Sequence, residues 1–263
     1  MGAGTGEAGS DGVPGDAAPR LVRFTVDVEG DWAGTSTRGI DEALPRLVDL
    51  LDRHGATATF FVVGDLIDRV RPALEPDGPH EVGSHGLTHR TLTSLAPAEV
   101  VEEVVGSRAA IQAAGYRVAG FRAPFFARPA GFGRVLADAG YGYDASIGSV
   151  LPFRRPAPAD EEPLPVVPSG HLRDRRTPCS LTTLRIAHPH GVRLVGDDPQ
   201  TFTCHLHELL DGSPGWTALP PGLRHLHRRG AGRPAWEVLE ALLARPDLRF
   251  TSCRDHLHAV GSP

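Results

Sequence analysis

The chain has 263 residues, 40% hydrophobic and 22% charged, with a net charge of −5 at pH 7 and a pI near 6.2. These are ordinary values for a globular protein long enough for one large α/β domain or two small ones. The acidic balance argues against a general nucleic-acid binder, and no apolar run approaches the length of a membrane span.

All of the positive charge outside histidine is arginine, because the chain contains no lysine. The densest basic run, Arg224 to Arg229, reads as solvated surface. Cys179, Cys204 and Cys253 are widely spaced and odd in number, which suits neither a disulfide framework nor a zinc knuckle and points to a reducing compartment. Residues 1–20 are rich in Gly, Ala, Asp and Pro and lack the basic and apolar parts of a secretory leader. They are expected to form a disordered tail before a single domain over 21–263, in a cytoplasmic protein.

Order is expected to begin with the β-rich run Leu21 to Val26, which delivers Asp27-Val28-Glu29-Gly30-Asp31. Leu44, Leu47, Val48, Leu50 and Leu51 recur at helical spacing, which predicts a helix over Asp41 to His54 ended by Gly55. Ala58 to Gly64 reads as a buried strand, Asp65 to Val70 as a short helix, and Glu81 to Ser84 as a strand. Pro97 to Ala114 predicts a helix whose apolar stripe runs through Val101, Val104, Val105, Ala109 and Ile111. A strand at Val118 to Phe121, a helix at Gly131 to Ala139 and a strand end at Gly140 to Ser146 follow. Residues 152–178, rich in proline and charge, read as an irregular surface excursion with a short strand at Leu164 to Val167. Thr201 to Cys204 predicts a late strand, Pro234 to Ala244 the last clear helix, and Arg249 to Ser252 a final strand. Strand and helix alternate as in a parallel α/β sheet or barrel.

The chemistry concentrates at predicted strand ends. Asp27 and Glu29, two apart in an extended chain, project to the same side, and two acids on one face need a cation or hydrogen bonds to offset their repulsion. His85 and His89 follow the strand at Glu81 to Ser84. If that segment turns helically, the two imidazoles share a face and can share a divalent metal. Two histidines do not complete a hydrolytic site. A third ligand and an open position for water are also required. In parallel α/β architectures active sites gather at this end of the strands, so all four side chains are expected at one rim.

Taken in order, the acidic motif, ATATFFVVGD, GSHGLTHRTL, GFRAPFF, GYGYDAS and FTCHLHE resemble the NodB-homology polysaccharide deacetylases, carbohydrate esterase family 4. The resemblance extends from about residue 21 to 255. It implies a distorted, incomplete (β/α) barrel and metal-dependent hydrolysis of an N-acyl group on an amino sugar. It also implies metal ligation by His85, His89 and Glu29, with Asp31 in reserve for the carboxylate, and a general base at Asp27. Arg122 then orients the base, His205 acts as general acid, and Asp144 supports an acid–base residue. The D-x-E spacing departs from the family's commoner pair of adjacent aspartates and looks more like the deformylase and allantoinase-like branch. The implied cofactor is a divalent metal, zinc foremost, with cobalt, manganese or nickel as alternatives.

The expected function is N-deacetylation of a small N-acetylated, sugar-containing metabolite. Deformylation or cyclic amide/ureide opening by the same site is the alternative enzyme reading, and a non-catalytic carbohydrate-binding domain the alternative outside enzymes. His205 and His207 could instead form an H-x-H metal pair. His188/His190, His225/His227 and His256/His258 share that spacing and read as surface or packing histidines. Trp32, Phe125, Phe126 and Tyr143 are candidates to line a substrate cleft.

Overall fold

Strand β1 (Arg20–Val28) is the axis of a seven-stranded parallel sheet. The others are β2 (Thr59–Val62), β3 (Glu81–Ser84), β4 (Gly120–Phe121), β5 (Tyr143–Asp144), β6 (Thr201–His205) and β7 (Leu248–Thr251). The computed structural model describes residues 18–31, 34, 36–148, 163–196, 200–212 and 214–261. The expected tail therefore lies outside the described residues except at its end, as does Trp32. The order across the sheet is β5-β4-β3-β2-β1-β6, with β7 paired to the foot of β1 over Arg20 to Arg23. Among the described residues β5 and β6 do not pair, so the barrel is incomplete, as expected.

The two-residue period of β1 separates two environments. Val22, Phe24, Val26 and Val28 are buried apolar residues, and the Phe24 ring packs on Phe202 and Phe250 with centroids 5.0 and 5.8 Å away. On the other face Arg23, Thr25 and Asp27 stand opposite Thr201, Thr203 and His205 of β6. Two of these pairs are hydrogen-bonded: Arg23 Nε donates to Thr201 Oγ1 at 2.9 Å, and the Thr25 and Thr203 hydroxyls lie 3.0 Å apart. A polar column thus climbs the barrel interior and ends at Asp27 and His205, on the rim formed by the carboxyl ends of the strands.

Helix α1 (Leu44–Arg53) buries Leu44, Leu47, Leu50 and Leu51. It is entered through one wide π-helical turn, Gly39–Ala43, and followed by Gly55 at φ 60°. Next is the short α2 (Ile67–Val70). Helix α3 (Pro97–Ala113) begins and ends within a residue of the expected bounds, but its buried stripe runs only in part where predicted, through Val104 and Ile111. Val101 and Val105 are 44% and 47% exposed, whereas Val100, Glu103, Val104, Ser107 and Ile111 face inward. The turn is set by polar partners: Ser107 bonds Ser84 of β3, and Glu103 bonds the loop after β3. Helix α4 (Phe132–Asp138) follows. At Leu164 to Val167 the expected strand is reduced to a single bridge, Val166 to Asp144.

The late half holds α5 (Leu181–Ile186), α6 (Pro221–Arg228), α7 (Arg233–Leu243) and α8 (Cys253–Ala259). Only α7 shows in the periodicity. Helices α5 and α8 are announced by side-chain caps instead, with Ser180 Oγ accepting from Thr183 N–H and Ser252 Oγ from Asp255 N–H. No helix among the described residues is long and apolar enough to cross a membrane.

Candidate active site

His85 and His89 are brought together by a loop, not by the helical turn that their spacing suggests. After β3, Gly86 takes φ 78° and His89 φ 63°, a left-handed conformation that a residue with a Cβ adopts at a cost of about 1–3 kcal/mol. The loop is over-determined by its hydrogen bonds. Gly86 O and Leu87 O accept from the N–H groups of Gly64 and Asp65 at 2.9 and 3.0 Å. Leu87 and Thr88 donate their N–H groups to Glu103 Oε2 at 2.9 and 3.0 Å, and the Thr88 hydroxyl donates to Glu103 Oε1. Glu103 is buried in α3, so a helix carboxylate sets the position of His89.

Glu29, one residue past β1, completes the cluster. One donor atom from each of Glu29, His85 and His89 lies within 4.8 Å of the other two. Glu29 Oε2 is 3.4 Å from His85 Nε2 and 2.5 Å from His89 Nε2. Two features of the site fit a divalent cation. His85 Nδ1 lies 2.9 Å from the Arg122 carbonyl, which can only accept, so Nδ1 carries the proton and Nε2 presents its lone pair toward Glu29. His89 Nε2 is buried without a directed hydrogen bond despite its closeness to Glu29. Two imidazoles and one carboxylate form a permissive donor set for zinc, cobalt, manganese or nickel.

Asp27 and Arg122 form a buried pair beside the cluster. Arg122 Nη1 donates to Asp27 Oδ1 at 2.7 Å and to Thr25 Oγ1 at 3.1 Å, and Nε reaches Ala145 O at 3.3 Å. The guanidinium lies 4.3 Å from the Phe61 ring centroid, which fixes its plane. Burial alone raises the Asp27 carboxyl. Arg122, with His85 and His205, outweighs that and holds it below the usual aspartate range. Across the carboxylate, His205 Nε2 is 3.6 Å from Asp27 Oδ2. Burial disfavours the His205 imidazolium, but Glu208, Glu29 and Asp27 outweigh it and push His205 up to about 9.

A donor cluster, a pinned carboxylate and a charged histidine converge on one strand rim. The sequence profile of the polysaccharide deacetylase family matches residues 17–143, which include Asp27, Glu29, both histidines and Arg122. Over those residues the chain matches a polysaccharide deacetylase domain. A chitooligosaccharide deacetylase of Rhizobium leguminosarum bv. phaseoli is 33% identical over 86 residues, 31% of this chain and 38% of that protein. This chain spans between 18% and 49% of the length of the curated relatives it matches. A Mycobacterium smegmatis protein assigned to the polysaccharide deacetylases has the same fold, with a TM-score of 0.56 and 19% identity over 93% of each chain. So does a CE4 family pseudoenzyme of Bacillus anthracis, with a TM-score of 0.55 and 14% identity over 91% of this chain and 69% of that one.

Other expected residues of the deacetylase domain lie elsewhere. Asp31 turns away from the donor cluster, and its Oδ2 accepts the Gly215 N–H at 2.7 Å. Asp144 does not support His205. Its oxygens bond Arg128 Nε and the Ser146 N–H, both at 2.8 Å, and it lies one residue past the matched profile. The residue behind His205 is Glu208, which the sequence reading did not single out. Its only sequence signal is the H-x-x-E spacing, a helix-cap pattern (Glu208 Oε2 accepts the His205 N–H at 3.0 Å).

Tyr143 lies in the buried interior, against Glu81 at the opposite end of β3 from the histidine loop, and Gly120 leaves room for its ring. His207 is buried, and burial together with His205 pushes it down to about 4.

The site opens into a cleft of about 610 Å³. Phe125 and Phe126 line it as expected, at φ 57° and 54°, and the Phe125 ring packs on His89 at 4.9 Å. Leu66 borders the cleft as well, and Ser169, Gly170 and Pro178 supply part of the wall from the excursion segment. The basic run is not merely solvated surface. Arg224 to Arg228 lie in α6, which presents Leu223, Leu226 and His227 to the cleft.

Proposed function

We propose that the chain is a divalent-metal-dependent amide hydrolase that removes acetyl from a small N-acetylated amino-sugar compound. The observation that carries the reading is the convergence of Glu29, His85 and His89 with Asp27 on one side and a charged His205 beyond it. A metal held by Glu29, His85 and His89 would polarise the amide carbonyl and lower the pKa of the attacking water. The chain's own groups handle the protons. Asp27, ionised and fixed by Arg122, takes one from the water as its oxygen bonds the carbonyl carbon. His205 gives one from Nε2 to the amine nitrogen as the C–N bond breaks. The products are a carboxylic acid and an amine.

The cleft volume supports a substrate of small-molecule size, and its apolar wall of Phe125, Leu223 and Leu226 suits the face of a sugar ring. The chitooligosaccharide-directed relative supports acetyl on an amino sugar. Three buried free thiols support a cytoplasmic setting. The test is acid release from metal-loaded protein offered N-acetylglucosamine, its short oligomers, the N-formyl analogue and a cyclic ureide. Acetate from the N-acetyl compounds, lost in Glu29→Ala, is expected. Formate or ring opening in its place would move the assignment to the deformylase or ureide branch. No turnover of any of them, with sugar still bound, would favour a binding domain.

A further inference from the structure

Glu208 stands in the 3₁₀ turn Leu206–Leu209, directly after β6. It is buried, and each of its oxygens has a separate task. Oε1 accepts from Arg185 Nε at 2.9 Å and from the Thr182 hydroxyl at 2.6 Å, both on α5. Oε2 accepts the His205 N–H at 3.0 Å and lies 3.5 Å from His205 Nδ1. Arg185 is itself anchored, because its Nη1 donates to the Arg229 carbonyl at 2.5 Å. A carboxylate clamped from behind by α5 therefore addresses both the backbone and the ring of His205, whose Nε2 lies 3.6 Å from Asp27 Oδ2.

We propose that Glu208 is the positioning residue that holds His205 as the proton donor, the role that the family resemblance would give to Asp144. The inference rests on reading the site as an amide hydrolase. With Nδ1–H directed at Glu208, the second ring nitrogen, Nε2, points to the cleft and to Asp27. The groups around the ring are Asp27, Glu29 and Glu208, which favour its proton, and His207, whose ring centroid lies 5.3 Å away. Glu208 keeps the proton in place until the C–N bond breaks, when it passes from Nε2 to the leaving nitrogen. Asp27 holds the proton taken from water and can return it to Nε2, 3.6 Å away, so the cycle closes without any further reactant.

The test exploits leaving groups. An amine must be protonated to leave, whereas 4-nitrophenolate leaves unaided. Wild type, Glu208→Gln, His205→Gln and Asp144→Asn proteins, loaded with zinc, are assayed on the N-acetyl sugar and on 4-nitrophenyl acetate. Glu208→Gln is expected to lower kcat on the amide by about 100-fold with KM little changed, and to hydrolyse the ester within about threefold of wild type. An equal loss on both substrates, no loss on either, or an amide-selective loss in Asp144→Asn in place of Glu208→Gln would overturn the assignment. Should Glu208→Gln not fold, Glu208→Asp keeps the charge for Arg185 but withdraws it from the ring, and the same amide-selective loss is expected.

Ring ¹⁵N shifts of His205 at pH 7.5 decide the point even without turnover. The ring is expected to be protonated in wild type and neutral in Glu208→Gln. If wild type cleaves neither substrate but the ring behaves as stated, the hydrolase reading fails and the Glu208–His205 coupling stands. Identical ring shifts in the two proteins would refute the coupling.

Discussion

Glu103 lies on a helix that contributes no donor to the metal cluster, yet its carboxylate holds the histidine loop. Glu103→Ala deletes the acceptor for the Leu87 and Thr88 N–H groups and for the Thr88 hydroxyl. Hydrogen bonds to a charged acceptor contribute about 1.5–3 kcal/mol each, so the two backbone bonds set a ceiling of about 3–6 kcal/mol. Thr88 is exposed, and water can take over part of what is lost, which leaves about 2 kcal/mol on the order of the loop. If His89 must regain its left-handed conformation before it ligates, that energy appears as a fall of about 30-fold in zinc affinity. Glu103→Gln is milder, about threefold, because its amide oxygen can still accept both N–H groups while its NH₂ donates to Thr88 Oγ1. Zinc titration calorimetry on metal-stripped proteins, with circular dichroism to confirm the fold, measures both. A folded Glu103→Ala protein that binds zinc with wild-type affinity would refute the reasoning.

Two further outcomes follow from the buried charges. Arg122→Met leaves Asp27 buried without its partner and should cost about 3–5 kcal/mol in urea unfolding, with most of it recovered in the Arg122→Met/Asp27→Asn double variant. A double variant as unstable as the single one would show that Arg122 acts through packing on Phe61 alone. In metal-stripped protein, stability should pass through a maximum near pH 6.5, because two histidines shift in opposite directions. His205 is pushed up to about 9, so its contribution is complete below pH 6.5 and is lost as pH rises through about 9. His207 is pushed down to about 4, so its neutral form is favoured in the fold, and stability is lost as pH falls from 6.5 toward 4. His205→Gln should flatten the alkaline limb and His207→Gln the upper part of the acid limb. Equal effects on both limbs would contradict the assignment.

Much of this architecture is legible in the linear order of residues. Strand periodicity, helix spacing and terminating glycines depend on neighbours a few positions apart, and they place β1, β2, β3, α1, α3 and α7 within a few residues of their observed bounds. Because the strands are parallel, their carboxyl ends fall on the same rim, which is why Asp27, Glu29, His85 and His89 could be expected together before any contact was known, whereas Arg122 and His205 stand out only through the family resemblance. The partners of those residues are another matter. Whether α3 presents Val101 or Glu103 to the interior depends on a rotation of about 100° per residue, and polar groups on β3 and the loop after it decide it. In sequence, Asp144 stands out through the family resemblance, whereas Glu208 carries only the H-x-x-E spacing. The turn directly after β6 sets Glu208 behind His205, the pairing of β6 with β1 sets His205 beside Asp27, and β5, on the far side of the sheet, leaves Asp144 with Arg128. Tertiary structure also turned Arg224 to Arg229 into a wall of the cleft, because an eight-residue helix with two leucines has too short a period to show which side will face the site.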